Sequence, residues 1–309
     1  MPAPAAILPP EDLVTGGDLR LLARTEVDGF LSGLHHSPHR GTSAQFKQHR
    51  PYVPGDDLRM LDWKIYGKSD KFFVREFEDE TNLRATLLLD TSRSMAYGGR
   101  RSKHGHAVRL AASLAHLLLG QQDAVGLATF DDRLRAYHPN RATPRHLATL
   151  TDALAGSTPS TDAATTDFAN VFTGLLPHLD RHARRGLVIL LTDAFGDADE
   201  LGRGLLQLRH ARHDVLLLQV LHRDELDFPF RGGVRFDGLE AGGSSRDIDA
   251  TLLRTRYLKR VEAFRQAVAV ACGEAGVDHL EVVTDEPIAD TLRRFLRRRQ
   301  SRAGRGRRR

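Results

Sequence analysis

From Arg84 onward the chain repeats one pattern: a short apolar run, then a longer stretch with apolar residues at helical spacing. ATLLLD (85–90), AVGLATF (124–130), GLVILLTD (186–193), DVLLLQVL (214–221) and VDHLEVV (277–283) are short and almost continuously apolar. Bounded as they are, they predict strands buried on both faces, as in a parallel sheet. Between and after them stand helical stretches at 103–120, 144–155, 167–179, 198–211, 250–275 and 287–298. In the 250–275 stretch Leu253, Tyr257, Val261, Phe264, Val268 and Cys272 fall on one stripe. Repeated units of this kind predict an α/β fold, a doubly wound, mostly parallel, Rossmann-like sheet with helices on both faces. RLRAY (133–137) reads as a short edge strand. DFPFRGGVRFDGLE (227–240) alternates Phe228 and Phe230 with Val234 and Phe236 around Gly232-Gly233, which predicts an inserted β-hairpin.

The rest of the chain organises around that core. Residues 1–17 are rich in Pro, Ala and Gly and read as a disordered N-terminus. Residues 18–82 read as an extension packed on the main domain of 83–292. Its first part, 18–34, has the loose apolar spacing of an amphipathic helix. The stretch 40–82 holds the only Trp and a Pro54-Gly55 turn signal, and is too short to bury much core alone. In PGDD, Pro54-Gly55 suits a type II turn, with Asp56 or Asp57 capping a short helix. The same segment is also a candidate docking surface, although turn chemistry explains it without further assumption. Arg50, Arg59 and Arg75 are candidate partners for its acids, with Trp63 and Tyr66 packed on a sheet. The net charge of +5 is carried by the end of the chain. Residues 293–309 hold ten Arg and no acid, and without them the balance is −5. Such a block reads as a disordered basic tail, with counterion-driven binding of nucleic acid as the less favoured alternative.

In open α/β sheets ligands bind beyond the carboxyl ends of the strands, so the residues that follow each apolar run carry the functional reading. Asp90-Thr91-Ser92-Arg93-Ser94 follows the first run and Thr192-Asp193 closes the GLVILL run. Thr165-Thr166-Asp167 opens the 167–179 helix. Asp90, Ser92 and Ser94, spaced i, i+2, i+4, can project one way from a strand-to-helix turn. With a threonine hydroxyl and Asp193 they make five hard oxygen donors, a set that suits Mg²⁺ or Mn²⁺ rather than zinc. A bare DxSxS also reads as a helix start whose side chains cap free N–H groups. The threonine and Asp193, in the loops where a complete site needs them, favour the metal. Arg93, Arg100, Arg101 and Lys103 flank this site and would raise its positive potential, or else are an ordinary solvated loop.

The order DxSxS, Thr, Asp resembles the metal-ion-dependent adhesion site of von Willebrand factor A-type domains. More narrowly, the chain resembles the domain-of-unknown-function 58 family, bacterial proteins that accompany MoxR-type AAA+ ATPases. The stretches that carry the resemblance include GTSAQFKQHRPYVPGDDLRMLDWKIYGKSDKFFVREFEDETN, LLLDTSRSMAYG, HAVRLAASLAHLLL, DAVGLATFDD, RRGLVILLTD and DVLLLQVLHRDELDFPF, and it spans roughly 25–295. It implies a von Willebrand factor A-like fold and a metal held by Asp90, Ser92, Ser94, Thr166 and Asp193. Thr166 is preferred to Thr165 because it directly precedes Asp167-Phe168, as in the family pattern. It also implies binding rather than turnover, with a partner's Glu or Asp completing the coordination. The expected role is an adaptor for a MoxR-type ATPase in client maturation or metal insertion, acting on a client with an exposed acidic residue.

Several classes drop out. No run approaches the roughly 20 apolar residues of a membrane-spanning helix, the first residues lack the pattern of a secretory signal, and a lone Cys272 allows no intramolecular disulfide. Together these predict a cytoplasmic protein. Cys272 reads as a small core residue, and His35, His36, His39, His104 and His106 as surface residues. No P-loop is present, so any ATPase activity belongs to a partner. The alternative function is a metal-dependent phosphohydrolase using Asp90. An aspartyl-phosphate enzyme needs a second acid two residues on, where Ser92 stands, while Asp131, Asp132 or Asp167 could act as base for a metal-bound water.

Overall fold

The structure, a computed structural model, describes residues 16–34, 46–52, 62–69, 71–77, 83–161, 166–180, 185–236 and 246–306. The chain forms two compact units, Leu34–Asn82 and the remainder. In chain order, α1 (Gly16–Leu34) belongs to the larger unit. The smaller holds β1 (Phe46–Pro51), α2 (Trp63–Ser69) and β2 (Phe73–Phe77). The larger continues with β3 (Arg84–Asp90), α3 (Lys103–Gly120), β4 (Ala124–Phe130), β5 (Leu134–Arg141), α4 (His146–Ala155) and α5 (Phe168–Asp180). Then come β6 (Leu187–Thr192), α6 (Ala198–His210), β7 (Asp214–Leu221), α7 (Arg223–Asp227), β8 (Gly233–Phe236), β9 (Arg246–Asp249), α8 (Ala250–Glu274), β10 (Asp278–Val283) and α9 (Ile288–Gly306).

The large sheet has the order β10-β7-β6-β3-β4-β5, parallel except for β5, which runs antiparallel to β4 at the edge. This is the doubly wound α/β sheet that the alternating pattern predicts. Its strands read as apolar runs because both faces are covered. Leu88, Leu190 and Leu217 join Phe172, Leu205 and Val268 in one core. Their neighbours Leu87, Leu89, Ile189, Leu191, Leu216 and Leu218 point the other way, as strand period demands, and are buried too. α3 packs on that second side, touching β3, β4, β6 and β7, and is buried along most of its length. α1 docks on it through Glu26, which accepts hydrogen bonds from Arg109 (2.5 Å) and Ser113 (2.6 Å).

From β3 the chain winds first to β4 and β5, then crosses back to β6 on the other side of β3. The strand order therefore reverses between β3 and β6. A doubly wound sheet opens a crevice beyond the carboxyl ends of its strands at such a point.

Three expectations change. The hairpin does not form around Gly232-Gly233. Residues 223–227 are helical, capped by His222 and Glu225, and Phe228 closes that helix at a left-handed φ of 45°. Phe228 and Phe230 then cluster with Phe236 and Tyr257 instead of pairing in a ladder, and β8 pairs with β9. Residues 293–306, expected as a disordered tail, continue α9. Ile288, Leu292 and Phe295 recur at helical spacing and are buried, while Arg294 pairs with Glu286 (3.1 Å) and Arg299 with Asp123 (2.9 Å). His104 and His106, expected at the surface, are buried in the first turn of α3.

In the smaller unit β1 and β2 pair antiparallel. Tyr66 stacks on Phe72 (centroids 4.5 Å apart) and Trp63 meets Tyr66 edge-on (6.2 Å). The PGDD segment, with Arg59, lies outside the described residues, as do the N-terminal 1–15 and His35, His36 and His39.

Candidate metal centre

Asp90 is the last residue of β3 and stands at the switch point with 0% exposure. One carboxylate oxygen, Oδ1, accepts the backbone N–H of Ser92 (2.7 Å) and the other, Oδ2, accepts the hydroxyl of Thr192 (2.5 Å). Thr192 closes β6, beside β3, and its own oxygen accepts the N–H of Ala194 (2.9 Å). After Asp90 the chain is pinned by the Thr91 hydroxyl on the Phe130 carbonyl (2.8 Å) and by fully buried Met95 in a short 3-10 turn. That turn brings Ser92 Oγ and Ser94 Oγ to 3.1 Å of each other. The loop then needs glycine at Gly98: its φ is +108°, and a Cβ there would lie 2.6 Å from the His222 ring.

Asp193, 2% exposed, follows Thr192. Its Oδ1 accepts the N–H of Phe195 (3.0 Å) and its Oδ2 accepts the ammonium of Lys103 (2.7 Å). Lys103 is the first residue of α3, its side chain is only 3% exposed, and it also donates to Glu225 Oε1 (2.6 Å). Glu225 in turn accepts the N–H of His222 through Oε2 (2.8 Å), completing the cap of α7. Thr166 is buried just ahead of α5, and its hydroxyl makes no hydrogen bond among the described residues. Phe168, two residues on, tilts against Phe130, the strand neighbour of Asp90.

So the structure gathers Asp90, Ser92 and Ser94 in one turn and joins Asp193 to them through Thr192. Thr166 stands, hydroxyl free, before the adjacent helix, and Thr165 lies outside the described residues. The reading from sequence missed Glu225, the hydrogen bond from Thr192 to Asp90 and the part played by Lys103. Lys103 is no loop residue raising a surface potential; it is a buried counter-charge. The signal was faint: a lysine directly behind the cap Ser102, opening a helix whose later residues are mostly apolar.

Charge decides whether these residues suit a cation. Burial, and then the negative charge of Asp193, push the Asp90 carboxyl up to about 7, against the hydrogen bonds from Thr192 and Ser92. Burial opposes the charge of Lys103, but Asp193 and Glu225 outweigh it and hold the ammonium above the usual lysine range. With all groups ionised, three carboxylates face one ammonium, and the surplus matches one divalent cation. Among the described residues no group of three or more His, Cys, Asp or Glu converges as a metal site. A cation here would depend on hydroxyl oxygens, which fits a hard ion and not zinc. The acids that a hydrolase could use as bases are otherwise engaged. Asp131 and Asp132 pair with Arg135 (2.5 and 2.9 Å), and Asp167 caps α5 at the N–H of Asn170 (2.9 Å).

Fold and site together define a doubly wound α/β domain with an oxygen-rich, anionic cluster at its topological switch point. The chain belongs to the family described as Protein of unknown function DUF58, which matches residues 48–267. It is 27% identical over 315 residues to the uncharacterized protein Rv1480 of Mycobacterium tuberculosis, covering 98% of each chain. The same figures hold for the uncharacterized protein Mb1516 of Mycobacterium bovis. Among solved structures, the conserved hypothetical protein BatB from Bacteroides thetaiotaomicron aligns with a TM-score of 0.49 at 15% identity, covering 70% of this chain and 98% of that one. The SpRpn10 VWA domain aligns with a TM-score of 0.40 at 9% identity, covering 68% and 93%.

Proposed function

We propose that this protein is a non-enzymatic, metal-dependent interaction module of the von Willebrand factor A type. Asp90, Ser92, Ser94, Thr166 and Asp193 would hold Mg²⁺ or Mn²⁺. The observation that carries the reading is the buried surplus of negative charge at Asp90 and Asp193, set beside paired serine hydroxyls at the switch point. A bound divalent ion supplies a Lewis-acidic position that a partner's carboxylate can fill. The chain's own residues do the rest. Thr192 and the Ser92 N–H fix the Asp90 carboxylate, and Lys103 and the Phe195 N–H fix that of Asp193. The engagement of Asp131, Asp132 and Asp167 in structural contacts favours binding over turnover.

The partner we propose is a MoxR-type AAA+ ATPase, with this chain as adaptor for maturing a protein or metalloenzyme client that exposes an acidic residue. We place it in the cytoplasm, consistent with a single free, buried Cys272. No helix among the described residues is long and apolar enough to cross a membrane. Co-purification with a MoxR-type ATPase of the same organism, with Mg²⁺ or with EDTA, tests the proposal. The complex is expected with Mg²⁺ and is expected to vanish in EDTA and in Asp193→Ala. A complex that survives both treatments would show that contact is made away from this centre.

A further inference from the structure

The two edges of the large sheet differ in charge. The candidate metal centre, with its surplus of acid, lies at the carboxyl edge of the parallel strands, and the amino edge opposite is basic. Arg212 stands two residues before β7, Arg185 two before β6, Arg84 opens β3, and Arg141 ends the antiparallel β5. At β4, between β3 and β5, the corresponding position belongs to Asp123, which is 1% exposed and accepts the guanidinium of Arg299 from α9 (2.9 Å). Backbone contacts hold these residues level. The Asp214 N–H donates to the Gly186 carbonyl (2.8 Å), the Ala124 N–H donates to the Leu83 carbonyl (2.8 Å), and Val125 pairs with Arg141. At about 4.8 Å between neighbouring strands, the row from β7 to β5 is ~19 Å long. Arg145, at the start of α4, extends it past Arg141.

These cations are not spent on the fold. Arg141, Arg145, Arg185 and Arg212 are exposed and Arg84 is half-buried, and none of the five pairs with an acid among the described residues. The acids at the strand starts already have arginines of their own. Asp123 has Arg299, Asp214 has Arg209 (2.6 Å), and Asp278 has Arg298 (4.0 Å). Glu274, exposed at the end of α8, precedes β10 and so stands at the far corner of the sheet from Arg141. α9 reaches the same edge at Arg299 and continues to Gly306, carrying Arg302 and Arg305 about 5 and 9 Å further along its axis.

We propose that this amino edge binds the phosphate backbone of double-helical nucleic acid, without regard to sequence. Like charges held side by side favour an external polyanion, and all five are arginines, whose planar fork meets phosphate oxygens in pairs. A row of ~19 Å faces five or six phosphates of one strand, at about 3.4 Å of helix axis each. None of the exposed large apolar side chains belongs to the residues of this row. It therefore offers nothing to enter a lipid layer or to seat the apolar residues of a peptide. It also offers no exposed ring on which unpaired bases could stack, which favours a duplex over a single strand. The edge is independent of the metal reading, since it lies at the opposite end of the strands.

The probes are fluorescein-labelled DNA and RNA duplexes of about 20 base pairs, titrated by anisotropy between about 50 and 200 mM salt. Comparing them separates the two sources of phosphate, and binding of either through these residues upholds the proposal. Wild type is expected to bind duplexes of unrelated sequence alike, with log K falling against log salt at a slope of about −4 to −5. The exposed triple variant Arg141→Glu, Arg145→Glu, Arg185→Glu should lose more than tenfold in affinity, with a slope shallower by about 2.7 and an unchanged circular dichroism spectrum. Changing Arg302, Arg305, Arg307, Arg308 and Arg309 to Gln should weaken binding less than that. EDTA and Asp193→Ala should leave it unchanged. The proposal is overturned if wild type binds neither duplex, or if the triple variant binds as wild type does. It is also overturned if polyglutamate or phosphatidylserine vesicles bind as tightly through the same residues. Loss of all binding in the Gln variant, with the triple variant intact, would place the contact in the tail and overturn the edge. Loss in both EDTA and Asp193→Ala would place it at the metal centre and do the same.

Discussion

Asp90 and Asp131 end neighbouring strands at the same edge of the sheet, 0% and 2% exposed, and differ in one charge. Asp131 has Arg135 at 2.5 Å, and that guanidinium outweighs burial and holds the carboxyl below the usual aspartate range. Asp90 pairs with no cation among the described residues. Burial, and then the charge of Asp193, push its carboxyl up to about 7. Similar exposure with unequal compensation separates an acid held by an arginine from an acid without a counter-charge. Lys103 sharpens the contrast, because it pairs with Asp193 and Glu225 and not with Asp90.

The largest expected effect follows from that arrangement. Lys103→Met leaves Asp193 buried without its counter-charge and should cost about 3–5 kcal/mol, as breaking a buried pair does. Urea unfolding in EDTA measures it, and a loss below about 1 kcal/mol would mean that Asp193 is not ionised beside Lys103. Since Lys103 also repels any cation nearby, the variant should bind Mg²⁺ more tightly than wild type and regain part of its stability when the ion is added.

A smaller pair of effects sets the two acids against each other directly. Asp131→Asn removes the acceptor that Arg135 uses and should destabilise by about 1–2 kcal/mol, the arginine being partly solvated. Asp90→Asn removes an uncompensated buried charge while keeping an acceptor for Thr192. In EDTA it should therefore be neutral or stabilising by up to about 1 kcal/mol. Saturating Mg²⁺ should raise the Tm of wild type and of Asp131→Asn and leave Asp90→Asn unmoved. Equal destabilisation by both substitutions in EDTA would erase the distinction between the acids.

Much of this was legible in the sequence. Strands buried on both faces leave continuous apolar runs, so β3, β6 and β7 could be read to within a residue, and the acids at their ends marked the open edge of the sheet. The DxSxS spacing and Thr192-Asp193 then marked residues that the structure brings together at the switch point. What periodicity cannot show is pairing between distant side chains. Nothing local tells that Lys103 lies against Asp193 and Glu225, or that Arg299 reaches Asp123. Phe228 and Phe230 look like alternate positions on a strand because the cap that makes 223–227 a helix lies in His222 and Glu225, just upstream. The arginines from 293 on resemble a solvated tail by composition, while Leu292 and Phe295 among them are buried and carry the helix onward.

The smallest effect concerns charge at the other end of the same loop, where α3 begins. His104 and His106 are buried, and burial pulls both imidazoles down to about 4 from the ordinary 6.5. The unfolded chain takes up protons near pH 6.5 that the folded imidazoles refuse until about pH 4. Their contribution to stability is therefore complete above about pH 7 and is lost as pH falls through that window. At pH 6 the loss should be just under about 1 kcal/mol for each histidine, by the same linkage. His104→Gln keeps a polar atom to face the Ser157 hydroxyl, now 3.2 Å from the imidazole, and removes the titration. Thermal melts at pH 7.5 and 6 should show the wild-type Tm falling by more than that of the variant. A variant whose Tm falls as steeply as wild type would show that His104 is already accessible to protons in the folded state.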